Sequence, residues 1–211
     1  MSPPPHKPPS KGPAGFPEKL GVPAKRPGGR SAKVRSAVLK AVFALLVEKG
    51  FPVFTIAEAA SRAGVHETTI YRRWETRTAL ALDACLDFSD SVFSLPDKGS
   101  LAEDLAALAS QVAAVLQSPV GKALLDMSAA ADAHSADARR AFWHKRFEAV
   151  SPVVQRAIAR GEIPADTNAF HVIEAAIAPL YFRALVSLQP IGEWPLRETV
   201  LRLASSLSKC K

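Results

Sequence analysis

Cysteine is scarce in this chain. Cys85 and Cys210 are the only two among 211 residues, which excludes a disulfide scaffold and any four-cysteine zinc site. Long apolar runs are missing as well, and no stretch approaches the roughly 18–20 uninterrupted apolar residues of a membrane span. The start, Met1-Ser2-Pro3-Pro4-Pro5, lacks the apolar stretch of a secretory signal. These absences lead us to expect a soluble protein of the reducing cytoplasm. His6, His66, His134, His144 and His171 fall at no metal-ligand spacing, and neither cysteine sits beside a histidine in a nucleophile motif. There is no alternating strand pattern, and hence no strand followed by a glycine-rich phosphate loop. We therefore expect no catalytic residue, no metal and no cofactor.

What is present is an ordinary globular balance: 48% hydrophobic and 22% charged residues. That is enough apolar material for a core and too much for full-length disorder. The net charge is +7, but its distribution says more than its sum. Residues 1–30 carry a net +5, residues 31–80 a net +4 and residues 81–211 a net −2. A basic first third on a mildly acidic remainder points to a polyanionic partner, either nucleic acid or an anionic surface.

Residues 1–30 hold 9 of the 17 prolines and 5 of the 11 glycines. Proline lacks the backbone donor and glycine loses the most entropy on ordering, so this segment is predicted to be a disordered basic arm. From Ser31 the pattern becomes helical. Val34, Ala37, Val38, Ala41, Val42, Leu45 and Leu46 recur on one face of a helix over 32–49, with Ser31 as its cap and Gly50 as its stop. Thr55 followed by Glu58 is a capping box opening a second helix that ends at Gly64. A short turn leads into a third, over 67–74, with Ile70 and Trp74 on one face and Thr68 and Arg72 on the other. Two short helices, a tight glycine turn and a polar second helix make a helix-turn-helix. Further helices are predicted over 77–93, 101–117, 120–132, 136–160, 167–188 and 195–208, separated by proline and glycine. The fold class is all-α with about nine helices.

The run Thr55-Ile56-Ala57-Glu58-Ala59-Ala60-Ser61-Arg62-Ala63-Gly64-Val65, then Thr69-Ile70-Tyr71-Arg72-Arg73-Trp74, then Arg77 and Leu80, resembles the DNA-binding domain of TetR-type transcriptional regulators. Arg160-Gly161-Glu162-Ile163-Pro164 and Ala178-Pro179-Leu180-Tyr181-Phe182-Arg183 resemble segments of the regulatory domain in one branch of that family. Three positions depart from the usual pattern. His66 stands where Ser or Thr caps the recognition helix, Ala59 where Ile or Leu is usual, and Arg77 where Lys is usual. The resemblance implies three parts: the arm over 1–30, a helix-turn-helix domain over 31–80, and an effector-binding and dimerisation domain over 81–211.

The resemblance also implies a homodimer on a palindromic duplex DNA operator, released by a small-molecule effector. Within the reader, Thr68, Thr69 and Arg72 are the expected base contacts, since a guanidinium forks onto guanine and a threonine methyl meets thymine. Thr55, His66, Tyr71, Arg73 and Arg77 complete the expected DNA-binding set. Leu108, Val112, Leu125, Met127, Phe142, Trp143, Phe147, Phe170, His171 and Glu174 are the expected pocket, with His171 or Glu174 as its polar group. Ile173, Ile177, Leu180 and Leu201, on the last two helices, are the expected dimer interface. The competing reading is a helical small-molecule-binding protein or enzyme whose basic N-terminus binds nucleic acid or anionic surfaces without specificity. A membrane partner is not expected, because the arm has no apolar face to insert.

Overall fold

The computed structural model describes residues 29–92, 94–129, 133–191 and 196–208. The basic arm expected over 1–30 lies outside them except for its last two residues. Among the described residues the chain is helical throughout, with no strand. Helices α1 (Arg30–Lys49), α2 (Ile56–Ala63) and α3 (Glu67–Tyr71) form the N-terminal group, and α4 (Arg77–Val92) leads out of it. Then follow α5 (Leu101–Leu116), α6 (Pro119–Ala129), α7 (Ala136–Val150), α8 (Pro152–Ala159), α9 (Ala169–Phe182) and α10 (Leu196–Ser208). A π-helical turn, Arg183–Ser187, extends α9.

The helix expected over 136–160 is bent into α7 and α8 at Ser151. Pro152 cannot donate to the carbonyl four residues back, and its ring crowds that position. The freed carbonyl of Glu148 takes the Ser151 hydroxyl instead, at 2.9 Å. Pro152 then serves as the first residue of α8, where its missing donor costs nothing. The start of α1 also differs. Gly29 is the N-cap and Ser31 lies within the first turn; the Ser31 hydroxyl accepts from Arg73 Nη2 at 2.6 Å rather than capping its own helix.

Two apolar clusters hold the molecule together. One gathers α1 to α4 around Leu39, Leu45, Phe54, Ile70 and Leu80, and includes Ala123, Met127 and Phe142 from α6 and α7. The other joins α5, α8, α9 and α10 through Leu101, Leu105, Val153, Ile173, Leu180 and Val200. The first cluster thus crosses from the N-terminal helices into the C-terminal ones, with α4 packed against both α1 and α7. At the α5–α6 corner the chain needs a glycine. A Cβ on Gly121 would lie 2.0 Å from the carbonyl oxygen of Val115.

Candidate nucleic-acid interface and effector cavity

The reader is built as its residues require. The Thr55 hydroxyl accepts from the Glu58 amide at 3.2 Å, and the Glu58 carboxylate receives the Thr55 amide at 3.1 Å. These close the capping box on α2. Glu58 also pairs with Lys49, and these donors hold its carboxyl below the usual range, Lys49 contributing most and the Thr55 amide next. Arg62 forks onto Glu48 at 2.7 and 2.8 Å, fixing α2 to the end of α1 and lowering the Glu48 carboxyl in turn. Gly64 ends α2 at φ +66°, a left-handed conformation that a side chain would strain. The Val65 amide returns to the Ala60 carbonyl at 3.0 Å, which sets the tight angle into α3.

On α3 the division of faces is sharp. Ile70 is fully buried and Trp74 nearly so, while Tyr71 is 53% exposed. Thr68, Arg72 and Arg73 are exposed and Thr69 is half-buried. The helix proper ends at Tyr71 rather than at Trp74, and residues 72–74 continue as a turn through bonds from Arg72 to Thr68 and from Trp74 to Ile70. His66 caps α3 through its backbone only; its imidazole is exposed and makes no capping bond.

The position of Arg77 departs from the expected phosphate contact. Its Nη1 donates to the carbonyls of Phe54 at 3.0 Å and Pro52 at 3.3 Å. The guanidinium lies over the rings of Phe51 and Phe54, at 4.5 and 5.4 Å from their centroids. Through that nitrogen and the two rings it clamps the α1–α2 loop onto α4. Asp83 does a similar job one turn and a half further along. Its carboxylate receives the Trp74 indole and the Arg35 guanidinium, and Asp87 receives the other Arg35 nitrogen at 3.0 Å.

Between the two clusters lies a cavity of about 250 Å³ lined by α4, α5, α6, α7 and α9. Of the expected pocket set, Leu108, Val112, Phe142, Trp143 and Phe147 line it. Five other expected pocket residues do not. Met127 is sealed in the first core cluster and Leu125 packs against the second. His171 and Glu174 lie on the exposed face of α9, because a helix that buries Val172, Ile173 and Ala176 turns the residues between them outward. Phe170 stacks edge-on with Phe147 at 5.6 Å, outside the cavity. The polar groups of the cavity are instead Ser89, Ser118, Arg146 and Tyr181. Helical spacing could have found Arg146, one turn beyond Phe142 on the same face as the aromatic wall. Arg146 Nη1 donates to Ser89 Oγ at 2.9 Å, tying α7 to α4.

The expected interface residues also need correction. Ile173 and Leu180 have no exposed surface and Ile177 has very little, and all three belong to the second cluster of their own subunit. A side chain without surface cannot touch a second molecule. Leu201 is half-buried. The apolar surface left on this part of the chain is the opposite stripe, with Ala175, Ala178, Pro179 and Phe182 around a shallow groove. It continues through Val186 and Leu188, and Phe182 is 59% and Val186 67% exposed.

Comparison with known proteins agrees with both halves of this geometry. Residues 38–84 match the family described as bacterial regulatory proteins, tetR family. Residues 95–203 match the tetracyclin repressor-like C-terminal domain. The chain is 34% identical over 146 residues to the HTH-type transcriptional regulator AqdR of Rhodococcus erythropolis, covering 68% of this chain and 70% of that one. It is 33% identical over 161 residues to the DNA-binding transcriptional repressor TetR of Mycobacteroides abscessus, covering 72% and 82%. Among solved structures, the TetR family transcription regulator SCO0332 superposes with a TM-score of 0.70 at 28% identity, over 84% of this chain and 97% of that one. With an exposed polar reader set on a buried Ile70–Trp74 base, and both halves matched, the chain belongs to the TetR family of DNA-binding transcriptional regulators and is not an enzyme.

Proposed function

We propose that the chain is a ligand-responsive repressor that binds a two-fold operator as a homodimer. The observation that carries this reading is the split of α3 into a sealed face and a projecting one. Ile70 and Trp74 lock the helix to the core, and Thr68, Thr69 and Arg72 are left to meet base edges. Tyr71, Arg73 and Thr55 flank them as phosphate contacts, which fix register without reading sequence. Arg77 supports them from behind by holding the α1–α2 loop.

A five-residue recognition helix reads few base pairs, so specific binding needs two copies about 34 Å apart on the duplex. The stripe of Ala178, Pro179, Phe182 and Val186 supplies a surface for the second copy. The segment Ala169–Ser187 is long and apolar enough to cross a membrane by composition alone. A helix with one side in its own core and the other against a partner subunit has the same composition. The cavity between the clusters is the effector site. Cys85, Phe88 and Ser89 on α4 line it, while Leu80 and Asp83 on the same helix hold the reader. A ligand that shifts α4 therefore changes the placement of α3.

Selection of bound duplexes from a random pool tests the reading. The expected result is a palindrome with half-sites one helical turn apart, whose recovery falls when the cavity is filled. Enrichment of no sequence would overturn it in favour of non-specific binding.

A further inference from the structure

The polar groups of the cavity are not equally available. Ser89 Oγ donates to the Leu86 carbonyl at 2.8 Å and accepts from Arg146. Ser118 Oγ donates to the Val115 carbonyl at 2.6 Å and accepts from the Gly121 amide at 3.2 Å. Both hydroxyl protons are spent. The Tyr181 phenol differs. Among the described residues it makes no hydrogen bond, although its ring is held edge-on against Trp143 at 5.3 Å. Its hydroxyl is therefore the one that a molecule in the cavity can engage without breaking a bond within the protein.

The remaining lining fixes the shape of what could. Phe88, Trp143 and Phe147 present aromatic surface, and Leu108, Val112 and Leu124 close the other sides. An apolar cavity of about 150 Å³ takes a benzene ring; at about 250 Å³ this one takes two fused rings.

We propose that the cavity selects a two-ring aromatic molecule carrying one hydrogen-bond-accepting oxygen, received by the Tyr181 phenol beside Arg146. This assignment rests on the reading of the cavity as the effector site. The direction of the bond follows from the phenol's protonation. Burial pushes its pKa up to about 12 against the pull of Arg146, so at neutral pH it keeps its proton; that unspent proton and the donor-only guanidinium of Arg146 in the same lining favour an acceptor on the ligand.

The test is a matched pair of probes, 2-acetylnaphthalene and 2-isopropenylnaphthalene, which differ only in C=O against C=CH₂. Both are titrated into the full-length protein and into Tyr181→Phe. The wild type is expected to bind the ketone about three- to tenfold more tightly than the hydrocarbon, the range of one net hydrogen bond. Tyr181→Phe is expected to erase that preference, so that the two probes bind it alike. Equal affinities in the wild type would overturn the proposal while leaving the cavity as a binding site. A preference that survives Tyr181→Phe would overturn the role of Tyr181. Binding of neither probe would overturn the effector-site reading itself. The wild-type comparison stands alone should the variant fold poorly.

Discussion

The indole Nε1 of Trp74 donates to Oδ2 of Asp83 at 2.9 Å, while Oδ1 of the same carboxylate receives Arg35 Nη2 at 2.7 Å. One side chain on α4 therefore anchors the end of the reader and the first helix together. It lies on the helix that also lines the cavity, so the reader is set by the same element that an effector would touch.

Asp83→Ala removes the acceptor from both partners and leaves a largely buried indole N–H unpaired. Such a loss costs about 1–3 kcal/mol. Thermal unfolding should show a lower midpoint, and operator affinity should fall with it. An unchanged midpoint would show that the carboxylate is not a structural anchor.

Arg77→Ala separates two roles. If the guanidinium holds the Pro52 and Phe54 carbonyls, the variant loses about 1–3 kcal/mol of stability. The slope of log affinity against log salt then stays the same. A phosphate contact predicts the reverse, with stability intact and the slope shallower by about 0.9. Denaturant titration together with binding at several salt concentrations decides between them.

The outer stripe of α9 gives a paired prediction. Phe182→Glu with Val186→Glu should yield a folded monomer by sedimentation and circular dichroism, because these side chains are exposed within one subunit. Leu180→Glu should instead unfold the protein, since it buries an unpaired charge in the subunit's own core. A dimeric Phe182→Glu/Val186→Glu protein would sink the assignment of this face.

Gly121→Ala tests the α5–α6 corner. The added Cβ meets the Val115 carbonyl oxygen at 2.0 Å, and backbone cannot yield cheaply. Overpacking of this kind costs about 1–3 kcal/mol, readable as a lower denaturation midpoint. Equal midpoints would mean that the corner relaxes freely.

These cases also show which features were legible in the sequence. The capping box at Thr55 and Glu58, the turn at Gly64 and the Ile70–Trp74 pair are set by neighbours in the chain, so their spacing revealed them. The Arg77 clamp was not legible, because its partners lie on a loop more than twenty residues away and nothing local distinguishes a clamped guanidinium from one facing phosphate. The choice of face on α9 failed for a related reason. Apolar residues run around much of that helix, with Ile173, Ile177 and Leu180 on one side and Pro179, Phe182 and Val186 on the other. Periodicity finds an apolar face but does not say whether the same subunit or another one covers it. The polar group of the cavity was misplaced because His171 and Glu174 were chosen by chemical type, whereas the helix rotation points Arg146 and Tyr181 inward.

The most direct test of the central claim compares two neighbouring residues of the reader on the selected operator and on duplexes altered one base pair at a time. Tyr71→Phe should weaken binding to every duplex by a similar factor, as loss of a phosphate contact does. Arg72→Ala should cost about 1–3 kcal/mol on the operator and lose discrimination at one pair of symmetry-related base pairs. An Arg72→Ala protein that kept every base preference of the wild type would contradict α3 as the element that reads the sequence.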